Sequence, residues 1–172
     1  MKKAIVIILA GFMALLLSAS SLKAQDPPPG GFKNAYLSLN KSGKVVLTYT
    51  LWDQQVGSGN YTLCFFWASW SDEAREEVPN IQAIYKKYSG RVKVLGVTYG
   101  DEIQDSMDAI PEWGMTFPSI VFVEDAPPDG RFDIDTIPLT ILFGPDGKIV
   151  ARDLHGEGIL QAVEDALSGK SH

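Results

Sequence analysis

The chain has 172 residues, one cysteine, two histidines and a formal net charge of -6. A lone cysteine excludes an intramolecular disulfide, a Cys-x-x-Cys redox pair and a cysteine-rich zinc site. The length suits one domain with a proper core, the 45% apolar and 21% charged shares are those of a globular protein, and the acidic balance argues against nucleic acid or an anionic membrane as main partner.

Met1, Lys2 and Lys3 make a short basic start, Ala4 to Leu17 is an uncharged apolar run, and Ser18 to Ala24 is rich in small residues. That layout is a secretory signal. The apolar run is shorter than the roughly 20 residues that span a bilayer. Residues 1–24 are therefore expected to be a signal peptide cleaved after Ala24, with Ser20 as the alternative point and an uncleaved anchor as the alternative reading. No cysteine follows the run to take a lipid, so the expected location is the periplasm or cell envelope. With the signal cleaved, no stable membrane anchor is expected. Residues 25–34 open with Gln25 to Gly31, a Pro/Gly-rich stretch that reads as disordered, and the domain is expected over 35–170.

Lys44 to Thr50 reads as a short strand and Gly57 to Asn60 as a turn. Tyr61 to Trp67 is an unbroken apolar, aromatic run, which favours a central strand covered on both faces. From Ser71 to Tyr88, apolar residues at Ala74, Val78, Ile81, Tyr85 and Tyr88 recur at spacings of three and four, one stripe of a helix. Pro79 inside it should kink it. Val92 to Thr98 is the next strand. Ile103, Met107 and Ile110 mark a helix ending near Gly114, and Ser119 to Val123 is a strand. Leu139 to Phe143 and Lys148 to Asp153 flank the turn Pro145, Asp146, Gly147, a hairpin signature. Ile159, Val163, Ala166 and Leu167 stripe a last helix. Parallel β-α-β units followed by an antiparallel hairpin predict a three-layer α/β/α sandwich with a mixed central sheet.

Several short motifs then become specific: Phe65 to Trp70 (FFWASW), Ser71 to Ala74 (SDEA), Arg75 to Pro79 (REEVP), Phe117-Pro118, Thr136 to Thr140 (TIPLT) and Pro145 to Ile149 (PDGKI). Their order resembles the bacterial envelope thioredoxin-like family, the redoxin or TlpA-like thiol-disulfide oxidoreductases, over about residues 35–168. In that family the positions of Ser71 and Ala74 carry the nucleophilic and resolving thiols. The related peroxiredoxins place their peroxide-reducing cysteine at the position of Ser71. The resemblance also implies that Glu77 is the glutamate beneath the active site and Pro138 the cis-proline beside it. It further implies that the backbone of Ile137 faces an extended peptide and that Trp70 lies alongside.

Dithiol exchange needs a thiolate to attack and a second thiol to release the mixed disulfide. Ser71 and Ala74 supply neither, so the expected catalytic set is empty. Ser71 instead suits a helix N-cap, with Asp72 and Glu73 well placed against the helix dipole. A nucleophilic Ser71 would need a base, and only His155 and His172 are on offer. Cys64 sits inside the apolar strand and is expected to be a core residue. With its client thiol gone, Glu77 is expected to pair with Arg75 or Lys86 or to be solvated. Glu124, Asp125, Asp129, Asp133 and Asp135 form an acidic loop without calcium-hand spacing. No cofactor or metal is expected.

Two functions follow. One is a redox-inactive module that binds an exported polypeptide or envelope protein through Trp70, Ser71, Asp72, Glu73, Ile137 and Pro138. The other, implied by the resemblance alone, is a thiol-disulfide oxidoreductase or peroxidase. A structural subunit of a larger assembly is the bland third.

Overall fold

The computed structural model describes residues 34–121 and 132–169. The expected signal peptide and Pro/Gly-rich segment, apart from Asn34, lie outside the described residues. So do Glu124, Asp125, Asp129 and His172. Among the described residues no helix is long and apolar enough to cross a membrane.

The strands are β1 (Asn34–Leu39), β2 (Val45–Thr50), β3 (Tyr61–Trp67), β4 (Val92–Thr98), β5 (Ser119–Val121), β6 (Leu139–Phe143) and β7 (Ile149–Ala151). The helices are α1 (Trp52–Gln55), α2 (Asp72–Lys87), α3 (Ile103–Glu112) and α4 (Glu157–Ser168). Among the described residues seven strands form one mixed sheet in the order β2-β1-β5-β4-β3-β6-β7. Pairing is parallel for β3–β4 and β4–β5 and antiparallel elsewhere.

Topology dictates where the helices go. The steps β3 to β4 and β4 to β5 run in the same direction across the sheet. Both crossovers obey the right-handed rule, so α2 and α3 fall on one face. There Phe65 and Trp67 of β3 pack with Ala74, Val78, Ile81 and Ile84 of α2 and with Ile110 beyond. Helix α4 joins them through Ile159 and Val163. The opposite face carries Cys64, Phe66, Leu95, Ile120 and Ile141, covered by Trp52, Val56, Phe132 and Ile134. The sheet is thus covered on both sides, with its three long helices on one of them.

The expected strands at 61–67, 92–98 and 139–143 coincide with β3, β4 and β6. Helix α2 continues through Pro79 as one element. Of the strand expected over 119–123, Ser119 to Val121 is β5 and the rest lies outside the described residues. Strand β1 and the single turn α1 were not expected, and β1 starts at Asn34, at the end of the segment read as disordered.

Gly96 is the tightest point of the sheet. It pairs with Phe65 on one side and Ser119 on the other. A Cβ there would collide with the Ser119 hydroxyl and stand 2.8 Å from Trp67 Nε1. Gly96→Ala should therefore cost about 1–3 kcal/mol, the usual penalty for overpacking, read as a lower urea midpoint. Adding Ser119→Ala in the same chain should return part of it, and a midpoint unmoved by Gly96→Ala would contradict this crowding.

Candidate functional site

Strands β3 and β4 end in register, Trp67 opposite Thr98. Being parallel, they open their C-terminal ends at one edge of the sheet, where open α/β sheets take ligands. Strand β6 enters antiparallel on the other side of β3, pairing Leu139 with Phe66. That register carries Ile137 and Pro138 to the same edge. Their peptide bond is cis and both residues are half-buried.

The turn after β3 feeds straight into α2. Ser71 is the N-cap, its hydroxyl accepting the Ala74 N–H at 3.1 Å while its carbonyl takes the Arg75 N–H. The side chain is engaged and the residue is only 3% exposed. Its second hydroxyl contact is Glu73 Oε2 at 3.4 Å. The Glu73 contact is long, Glu73 is exposed on the helix surface, and the hydroxyl oxygen is engaged by the Ala74 N–H, so the geometry is that of a cap and not of a nucleophile. Ala74 is fully buried in the core. Asp72 and Glu73 are exposed in the first helical turn, where the dipole favours their charge.

Trp70 is 65% exposed, yet it is fixed: its indole N–H donates to the Gly100 carbonyl at 3.1 Å. The tether is on the β4 side of β3, whereas Ile137 and Pro138 arrive on the β6 side. The two flank the end of β3.

Glu77 corrects the sequence reading. Arg75 pairs with Glu112 at 3.3 Å, leaving Glu77 to other partners. The Glu77 side chain is only 11% exposed, and its two oxygens accept the Gly156 N–H at 3.2 and 3.3 Å. Asn80 donates to it at 2.6 Å, and His155 Nδ1 stands 3.9 Å away. Gly156 is the N-cap of α4 at a positive φ of 52°, a conformation that favours glycine. Glu77 thus holds the start of α4 against α2 and is neither solvated nor paired with Arg75 or Lys86.

Cys64 is fully buried in β3, on the face away from α2. Desolvation pushes its thiol far above the ordinary range, the opposite of what a reactive thiolate needs. Among the described residues no three His, Cys, Asp or Glu side chains gather as a metal site would require. Asp133 and Asp135 are exposed.

One site residue escaped the sequence reading. The Asp101 carboxylate accepts the Ser69 N–H at 2.9 Å, the Ser69 hydroxyl at 2.8 Å and the Ser106 hydroxyl at 3.0 Å. It ties the turn after β3 to the loop after β4 and to α3. Its partner lies 32 positions away, and no local motif signals such a bond.

No protein-family model matches the chain. Two curated proteins of Bacillus subtilis (strain 168) do. The thiol-disulfide oxidoreductase ResA is 27% identical over 86 residues, 49% of this chain and 48% of ResA. The thioredoxin-like protein YneN is 25% identical over 104 residues, 59% of each chain. The matches span about half the length of these relatives. A solved thiol:disulfide interchange protein from a Bacteroides species superposes with a TM-score of 0.60 at 25% identity, covering 81% of this chain and 90% of that one. A thiol-disulfide oxidoreductase from Bacteroides fragilis gives 0.54 at 26%, covering 77% and 96%. The chain is similar to thioredoxin-like thiol-disulfide oxidoreductases and shares their thioredoxin-like fold. Within this thioredoxin-like fold, the two positions that the resemblance assigns to thiols are a capping serine and a core alanine.

Two outcomes follow. Ser71→Ala should destabilise the fold by about 0.5–2 kcal/mol, the cost of a lost N-cap, measured by chemical denaturation. A chromogenic disulfide reagent at pH 8 should leave Cys64 unmodified in the native protein and titrate one thiol per chain in denaturant. Rapid native labelling would show that β3 opens.

Proposed function

We propose that this protein is an exported thioredoxin-fold binding module that has given up thiol chemistry. It holds an exported polypeptide or envelope protein without forming a covalent bond to it. The observation that carries this reading is the state of the two thiol positions. The hydroxyl of Ser71 is used as a cap, and Ala74 is sealed in the core. A hydroxyl is not appreciably ionised at neutral pH, so it cannot replace the attacking thiolate. Cys64 is out of reach.

What remains at the edge of the sheet is a recognition surface. Trp70 stands on one side of the end of β3 and Ile137 with Pro138 on the other. An exposed aromatic with a polar tip is a common anchor of protein contacts. Export rests on the N-terminal pattern of a basic start, an apolar run and small residues.

The competing reading, a thiol-disulfide oxidoreductase or peroxidase, is favoured by the names of the relatives. The test separates the two. Insulin reduction and peroxide consumption should stay at background for the wild type and for Cys64→Ser alike. Immobilised wild type should retain specific envelope proteins, and Trp70→Ala combined with Ile137→Ala should lose them while the fold, followed by circular dichroism, persists. Turnover that depends on Cys64 would establish the enzyme instead.

A further inference from the structure

The chemistry around Trp70 narrows what the surface can hold. The indole N–H is taken by Gly100, and the residue is still 65% exposed. The ring therefore keeps open surface while its polar tip is spent. It is held from behind as well. Ser69, its neighbour in the chain, is fastened through both its amide and its hydroxyl to Asp101, and Asp101 is braced in turn by Ser106 of α3. A side chain held this way loses little freedom on binding, which is how a contact gains affinity without added area.

The surroundings carry one sign. Asp72 and Glu73 follow Trp70 directly and are exposed. Glu102 is exposed beside Asp101, and Asp135 is exposed two residues before Ile137. In the described segments 68–75, 99–106 and 132–140 the one cationic side chain is Arg75, and its guanidinium is paired with Glu112. An open indole face attracts a cation through its quadrupole, and the exposed carboxylates of Asp72 and Glu73 that follow it in the chain add to that attraction. They repel an acidic segment in the same place.

We infer that Trp70, held in place by Asp101, is the anchor for a lysine or arginine side chain of an extended polypeptide, with Asp72, Glu73 and Asp135 selecting against acidic partners. This rests on the binding-module reading and adds a chemical class of partner to it. Asp101 is a positioning residue: it acts through Ser69 and the loop, not by touching the ligand.

The probes are two capped pentapeptides, Ala-Val-Arg-Val-Ala and Ala-Val-Glu-Val-Ala, titrated into the 15N-labelled protein at low salt. The Trp70 indole resonance is assigned with Trp70→Phe. The arginine peptide should shift that resonance and bind about threefold to tenfold more tightly than the glutamate peptide, the range expected of an exposed cation–aromatic contact with charge support. Raising the salt should shrink the difference. Trp70→Ala should erase the preference. Asp101→Asn, and independently Ser106→Ala as the milder change, should broaden or move the free Trp70 indole resonance and weaken the arginine peptide, with the remaining amide spectrum preserved. Equal binding of both peptides at Trp70 overturns the cationic preference while leaving the binding-module reading in place. Silence of the Trp70 resonance with both peptides overturns the anchor itself. Envelope capture that depends on Ile137 and not on Trp70 would then still support a binding module.

Discussion

Strand β3 is the constraint on which the rest of the molecule depends. Six of its seven residues are buried, and it is hydrogen-bonded to β4 along one edge and to β6 along the other. Neither edge is free to slip, because a shift of one residue would exchange its two apolar faces. The end of β3 is therefore fixed in space. From that end the chain turns through Ala68, Ser69 and Trp70 into α2, with the Ser71 N–H donating back to the Ala68 carbonyl. The same register delivers the end of β4 on one side and Ile137 and Pro138 on the other. The site edge is thus a by-product of sheet pairing and does not depend on which side chains stand at positions 71 and 74.

The elements legible from the sequence are those whose signal is local. The apolar run at 61–67 has a turn before it and no polar interruption, so its limits can be read to the residue. Helix α2 carries both a stripe and a capping serine. Strand β1 alternates Ala35, Leu37 and Leu39 with Asn34, Tyr36 and Ser38, a readable period of two that the adjoining Pro/Gly-rich stretch, which reads as disordered, obscures. Helix α1 is one turn long, too short for any periodicity to show. At the site, Ser71, Asp72 and Ala74 were legible because capping chemistry spans three residues. The Asp101 clamp and the bond from Gly156 to Glu77 were not, because their partners are 32 and 79 positions apart. Sequence alone pairs charges with near neighbours, which is why Arg75 and Lys86 looked like the natural partners of Glu77.

The replacement at the start of α2 is chemically conservative in one respect. A helix N-terminus presents unpaired N–H groups and a positive end of the dipole. In a thiol enzyme those features hold down the pKa of a thiolate. Here the Ser71 hydroxyl accepts the Ala74 N–H, and the carboxylates of Asp72 and Glu73 answer the dipole. The same electrostatic need is met by stabilising groups instead of a reactive one. The start of α2 is thereby well capped without a thiol, while Cys64 faces the opposite side of the sheet, its thiol pushed up by burial.

Glu77 has a structural use of its own in this fold. In the resemblance it belongs beneath the thiols, where its role is proton transfer. In this fold its carboxylate accepts the Gly156 N–H at the N-cap of α4 and sits 3.9 Å from His155. A negative charge at that point favours the positive end of α4, and a hydrogen bond to a charged acceptor is among the stronger ones a protein makes. Removing the carboxylate would leave a half-buried N–H without its acceptor and loosen the contact between α2 and α4. Helix docking uses this carboxylate whether or not a thiol lies above it. Its presence is therefore no argument for surviving redox activity. The weight of the functional question falls on Trp70, the exposed side chain that the clamp holds outward and that packing alone does not require.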